Sequence, residues 1–174
     1  MMEDNLFDRL HLKKGSLVLD ASCGARIVAL HLAKRGLLAS CIDVVDRHVR
    51  WAKQNTHSHG FDNAITVKKM DYHHLDDFPD DLFDGVYTME TFMHATDPEQ
   101  APREFFRVLK PGGSIALYEY GHRNPSNAPE DIRTSLEIIN KYSSMPSNGR
   151  FEQGVLQGMI RRLASKTSRS KISL

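Results

Sequence analysis

An apolar strand that breaks into a loop of small residues and re-forms as a helix, Val18 to Gly36, narrows the architectures open to this chain. Leu17-Val18-Leu19 reads as a strand covered on both faces. Residues 27–35 carry Val28 and Leu32 at helical spacing and stop at Gly36, a residue suited to the position just past a helix end. The same alternation repeats downstream, with short apolar runs at 16–20, 38–43, 64–70, 83–89 and 114–120 separated by amphipathic stretches of helical length. Such a rhythm predicts repeated βαβ units. We expect an α/β, Rossmann-like sheet of five mainly parallel strands with helices on both faces.

Local punctuation agrees. Asp46 is placed to N-cap a helix running to about Ser58 and closed by Gly60. Asp97-Pro98-Glu99 reads as N-cap, first-position proline and first-turn acid, opening a helix that ends near Leu109, before Pro111-Gly112-Gly113. After a polar loop at 122–129, residues 130–142 predict a helix with Ile132, Leu136 and Ile139 on one face, and 151–163 predict another. The 174 residues, 40% hydrophobic and 26% charged, are expected to form one domain. Its core lies at about 15–120, its helical C-terminal part at 129–164 and its basic tail at 165–174.

Other classes of function find little footing. No apolar run approaches the roughly 18 residues of a spanning helix. Residues 1–8 are acidic and lack the apolar stretch of a signal peptide. Cys23 and Cys41 alone suggest a reducing compartment, so a cytoplasmic protein is expected. From Arg161 to Lys171 there are five Lys or Arg and no acid, which reads as a solvated terminus rather than a nucleic-acid surface. His57, His59, His73 and His74 lack Cys or acid partners at ligand spacing and read as solvated loop histidines, so no metal is expected. Cys23 has no base at a predictable distance for a nucleophilic role, and Trp51 reads as a packing or surface residue.

In an α/β sheet, ligands bind outside the carboxyl ends of the strands. The loop at 20–24 lets backbone N–H groups and a helix N-terminus approach an anion. Asp43 closes the second strand 23 residues after Asp20, where a carboxylate can accept from both hydroxyls of a ribose. Asp71 follows the third strand. Helix capping is the competing use for each aspartate.

The ordered set Val18-Leu19-Asp20, Ile42-Asp43, Met70-Asp71, Phe83-Asp84-Gly85-Val86-Tyr87 and Arg107-Val108-Leu109-Lys110-Pro111-Gly112-Gly113 resembles class I methyltransferases that use S-adenosyl-L-methionine (SAM). Met89-Glu90-Thr91-Phe92-Met93-His94-Ala95 and Tyr118-Glu119-Tyr120 resemble sterol 24-C-methyltransferases and fungal small-molecule relatives. Ile132-Arg133-Thr134 and Ser144-Met145-Pro146 add to that likeness. The resemblance implies that Asp20, Ala21, Ser22, Cys23 and Gly24 line the methionine end of SAM and that Asp43, with Val44 beside it, holds the ribose. It puts Asp71 and Tyr72 at the adenine, and Met89 and Glu90 facing the sulfonium. Glu90 and His94 become candidates for placing substrate and accepting a proton. The implied substrate is a small hydrophobic metabolite of the sterol, terpenoid or polyketide kind. Tyr118, Tyr120, Phe92 and Met93 sit at strand ends, where aromatic faces can stabilise a carbocation; core packing explains them equally well.

Two departures bear on activity. The family loop reads acid-x-Gly-x-Gly-x-Gly, whereas this chain has Asp20, Ser22, Gly24 and Arg26 at those places. Serine costs about 1 kcal/mol where φ is positive, and Arg26 either occupies the place of the methionine tail, pairs with the methionine carboxylate, or swings out to solvent as a surface residue. The family also continues into two further strands, for which residues 164–174 show no pattern, and carries a lid-like segment ahead of Asp4. The strand at 114–120 is then expected as an open edge, inviting a homodimer or partner subunit. These departures motivate a second reading, a methyltransferase-like protein that has lost methyl transfer and serves as a cofactor-independent cyclase, isomerase or binding subunit. A nucleic-acid methyltransferase is disfavoured, since 88–95 contains no Asn- or Asp-Pro-Pro-Tyr motif.

Overall fold

The computed structural model describes residues 2–24, 28–119, 128–147, 154–167 and 170–173. The elements are α1 (Met2–Leu10), β1 (Leu17–Ala21), α2 (Val28–Lys34), β2 (Leu38–Asp43), α3 (Asp46–Ser58), β3 (Ile65–Lys69), β4 (Phe83–Met89), a 3-10 turn (Phe92–His94), α4 (Gln100–Val108), β5 (Leu109–Tyr118), α5 (Glu130–Tyr142), α6 (Val155–Thr167) and β6 (Ser170–Ser173). The sheet order is β3-β2-β1-β4-β5-β6 with every pairing parallel. The chain runs outward from β1 to β3 and then returns to lay β4 on the other side of β1. That reversal opens a crevice at the carboxyl ends of β1 and β4.

Side-chain alternation along the strands sorts the core into two layers. Leu19, Ile42, Val86 and Ile115 face one layer with Phe92, Phe105, Phe106, Met159 and Ile160. Val18, Cys41, Tyr87 and Ala116 face the other with Leu6, Leu10, Ala29, Leu32 and Ala52. Thus α4 and α6 cover one face of the sheet while α1, α2 and α3 cover the other.

The five expected strands are present, with three differences from the sequence reading. First, residues 1–8 were expected only as an acidic start, but α1 seals the sheet with Leu6 and Leu10, both fully buried one helical turn apart. Second, β5 begins at Leu109 rather than Ser114: Leu109 pairs with Phe83, the register shifts, and pairing resumes at Gly85 with Ser114. In that bulge Gly112 has φ +79°, and a Cβ on Gly113 would lie 2.7 Å from Leu109 Cδ1 and 3.0 Å from the Asp84 carbonyl. Asp84 anchors it, taking Lys110 Nζ at 2.7 Å on one oxygen and the Leu17 N–H at 2.8 Å on the other. Third, β6 lies beside β5 over Gly113 to Ala116, so the edge expected to be open is covered there and β6 becomes the terminal strand of the sheet.

Helix starts also shift. Asp46 is the first residue of α3 and does not cap it; Asp43 Oδ1 accepts the Val45 N–H at 2.8 Å instead. Asp97 does cap, accepting the Glu99 and Gln100 N–H groups at 3.0 Å each, although regular helix begins only at Gln100. No residue of α5 is buried, so its apolar face, including Ile132 and Ile139, is uncovered by the described residues. No helix among the described residues is long and apolar enough to cross a membrane.

Candidate functional site

A cleft of about 570 Å³ lies over the carboxyl ends of the central strands. Its first wall is the loop after β1. The Ser22 and Cys23 N–H groups both donate to the Ile42 carbonyl, at 3.0 and 2.9 Å, and the Gly24 N–H donates to Asp43 Oδ2 at 2.8 Å. These bonds fold the loop onto β2 and impose its backbone. Ser22 takes φ +99° and Gly24 φ +56°. Glycine is at ease there; serine is strained by roughly 1–3 kcal/mol.

Ser22 and Gly24 line the cleft, but Asp20, Ala21 and Cys23 do not. Those three, expected at the ligand, are instead buried, Asp20 and Ala21 in β1 and Cys23 within the loop. Asp20 accepts the Tyr87 hydroxyl at 2.6 Å. Burial pushes its carboxyl up to about 7, against the lowering effect of the Tyr87 bond and with help from the negative charge of Asp43. Arg26 lies outside the described residues.

The second wall is built from β2 and the turn after β3. Asp43, 4% exposed, lines the cleft with both oxygens oriented by backbone donors, and His48 Nδ1 stands 3.3 Å from Oδ1. Val44, Asp71 and Tyr72 line it too. Asp71 Oδ1 accepts the His73 N–H at 2.9 Å and His73 Nδ1 at 2.6 Å. Burial raises the Asp71 carboxyl, but these two donors outweigh it and hold the group below the usual carboxylate range. His73 is therefore no solvated loop residue: it is 6% exposed, and the Asp97 N–H donates to its Nε2 at 3.3 Å. Its neighbour His74 is exposed, and His57 pairs with Asp62 at 3.1 Å.

The third wall continues β4. Met89 and Glu90 line the cleft, with Glu90 at φ +55° and its N–H donating to the Tyr118 carbonyl at 2.7 Å. Beyond it, the Thr91 and Phe92 N–H groups donate to Glu119 Oε1 at 3.0 and 2.8 Å. Glu119 Oε2 is buried with no partner among the described residues. Burial raises the Glu119 carboxyl despite the Phe92 and Thr91 bonds. His94 lines the cleft and shares a 2.8 Å bond with the Ser144 carbonyl. A carbonyl only accepts, so Nδ1 carries a proton, and Nε2 is the nitrogen left outside this bond. Ser147 ties the segment after α5 to this turn, its hydroxyl donating to the Ala95 carbonyl at 2.6 Å.

Residues 89–95 thus divide. Glu90 and His94 reach the cleft, while Phe92 and Met93 are packed in the core. Tyr118 joins the opposite core layer, and Tyr120 lies outside the described residues. Of the groups expected to face a carbocation, the described Phe92 and Tyr118 lie in opposite core layers and are not brought together. Sequence reasoning missed His48, Thr96, Ser143 and Ser144, all lining the cleft. His48 could have been found as the histidine five residues past Asp43, in the first turn of α3, whereas Ser143 and Ser144, just past α5, are far in sequence from the strand ends they join. Among the described residues no group of three or more His, Cys, Asp or Glu is arranged to hold a metal ion.

Residues 19–117 match the model of a methyltransferase domain. The chain is 37% identical, over 91% of its length, to the S-adenosyl-L-methionine-dependent Diels-Alderase iccD of Talaromyces variabilis, and 36% identical, over 84%, to the Diels-Alderase iliD of Neonectria sp.. It spans 56% and 57% of those two proteins. It is also 31% identical to the sterol 24-C-methyltransferase erg6 of Aspergillus fumigatus, over 82% of this chain and 39% of that one. Among solved structures, geranyl diphosphate methyltransferase in complex with SAM superposes with a TM-score of 0.75 at 16% identity, covering 95% of this chain and 63% of that one. The [4+2]-cyclase SpnF superposes with 0.67 at 20% identity, covering 96% and 70%.

Proposed function

The chain belongs to the methyltransferase-domain family, and from that premise we propose that its cleft binds SAM and brings it against a small hydrophobic metabolite of the sterol, terpenoid or polyketide kind. The observation carrying this reading is the pair Asp43 and Asp71, both on the cleft wall and both oriented by N–H donors. A ribose diol and an aminopurine offer the donors such carboxylates accept. Ser22 and Gly24 would border the methionine end, and Met89 and Glu90 the sulfonium. The volume of the cleft suits a ligand of this size.

Methyl transfer is the reaction family membership supports. Bound SAM supplies an electrophilic methyl, and the chain's work is to hold an acceptor in line with it and to exclude water. If carbon is the acceptor, a proton must leave, and Glu90 and His94 Nε2 are the acceptors at hand. A second reading is favoured by the two Diels-Alderases, whose identity to this chain exceeds that of the sterol methyltransferase. In it the substrate cyclises in the cleft while SAM stays intact.

Incubation with SAM labelled in its methyl group, against a panel of sterol, terpenoid and linear polyene polyketide substrates, separates the two. Label in the product with release of S-adenosylhomocysteine supports methyl transfer. An unlabelled isomer of unchanged mass, formed only when SAM is present, supports cyclisation. A folded protein that fails to bind SAM at millimolar concentration contradicts both.

A further inference from the structure

His73 has two ring nitrogens in two different hydrogen bonds. Nδ1 donates to Asp71 Oδ1 at 2.6 Å, and Nε2 accepts the Asp97 N–H at 3.3 Å. The two bonds select one tautomer, with the proton on Nδ1. Asp97 is fixed in turn as the cap of α4, and Gln100 Nε2 donates to the His73 carbonyl at 3.3 Å. The ring is packed against Tyr72, centroids 4.6 Å apart, and is almost wholly buried. A rigid line of contacts therefore runs from the start of α4, through His73, to a carboxylate on the cleft wall. His73 itself borders the cleft beside Asp71 and Tyr72, and its ring nitrogens are both engaged by protein partners.

We propose that His73 is a positioning residue for recognition of the adenine amine: by occupying Asp71 Oδ1 together with its own backbone N–H, it leaves Oδ2 as the oxygen presented to the ligand. Both described bonds to this carboxylate fall on Oδ1. Without the ring, the carboxylate, whose side chain is 47% exposed, is free to rotate and to satisfy itself with water. The cost then falls on discrimination, the preference for a nucleoside carrying a 6-amino group over one without it, because that preference depends on a fixed acceptor. The inference rests on the proposed orientation of SAM, with its adenine toward Asp71.

Titration calorimetry with SAM and with its analogue bearing hydrogen in place of the 6-amino group tests it. Wild type should prefer SAM by about tenfold, the worth of one well-oriented hydrogen bond to a charged acceptor. His73→Phe should bring the two affinities together by weakening SAM alone. His73→Asn, whose amide nitrogen can stand in for Nδ1, should keep most of the preference, and His73→Gln, which resembles the Nε2 side, should not. Melting curves of each variant check that the fold is intact. Retention of the full preference by His73→Phe, or equal loss in His73→Asn and His73→Gln, would overturn the proposal. Failure of the wild type to bind SAM, or to prefer it, counts instead against the orientation on which the proposal rests.

Discussion

The two halves of the cleft are built to opposite rules. On the side of β2 and β3, Asp43 and Asp71 have N–H donors aimed at their oxygens and are tied to the starts of α3 and α4. On the side of β1, Asp20 is sealed behind its loop with only the Tyr87 hydroxyl described as a donor, and Ser22 is held at φ +99°. Asp20 and Asp43 occupy matching places at the ends of neighbouring strands and are equally hidden, at 3% and 4% exposure. What separates them is the supply of donors. Backbone N–H groups meet the oxygens of Asp43, whereas none is described on Asp20, and burial raises the Asp20 carboxyl.

Substitutions and pH can break this contrast. The largest effect concerns Asp20. Its folded carboxyl stands at about 7 against an ordinary value of 3.8, so the native state holds a proton that the unfolded chain releases. Stability from this group is full below about pH 4 and is lost as pH rises through about 7, on the order of 4 kcal/mol in all. Melting temperature should therefore decline between pH 5 and 8 in the wild type and decline less in Asp20→Asn, whose amide oxygen can still accept from Tyr87. Parallel curves would sink the contrast. Next comes Asp43→Ala, which orphans the Gly24 and Val45 N–H groups and should weaken SAM binding about 100-fold; a loss below threefold would show that the ordered side carries little.

Glu119 tests whether the β5 end shares the donor-rich rule. Glu119→Ala removes the acceptor for two N–H groups and should cost about 2 kcal/mol in denaturant unfolding, whereas Glu119→Gln, which keeps an acceptor oxygen, should cost less than half of that. The smallest effect is a gain: Ser22→Gly relieves the loop by about 1 kcal/mol and should raise the melting temperature by about 2–4 °C. A fall would mean that the loop is not strained.

Much of this was legible in the sequence, unevenly and for physical reasons. The strands at 38–43 and 83–89 fall as expected because apolar runs bounded by glycine or acid leave little choice of ends. The helix α1 escaped notice because two buried leucines among charged residues make a weak pattern, and β6 because a short polar segment gains its strand character only from β5 beside it. At the site, strand-end placement pointed to Asp43 and Asp71, and the family resemblance to Glu90 and His94; all four line one cleft. It could not show which residues of 20–24 turn inward, since a loop's facing depends on the bonds it makes to Ile42 and Asp43. Nor could it separate His73 from His74, adjacent in sequence and opposite in burial.

The contrast between the two sides is most directly tested by competition for SAM in a calorimeter. If the carboxylates of β2 and β3 form the ordered nucleoside side, SAM binds with one-to-one stoichiometry, adenosine displaces it and methionine does not. Displacement by methionine but not adenosine, or no heat at millimolar SAM from folded protein, would contradict it.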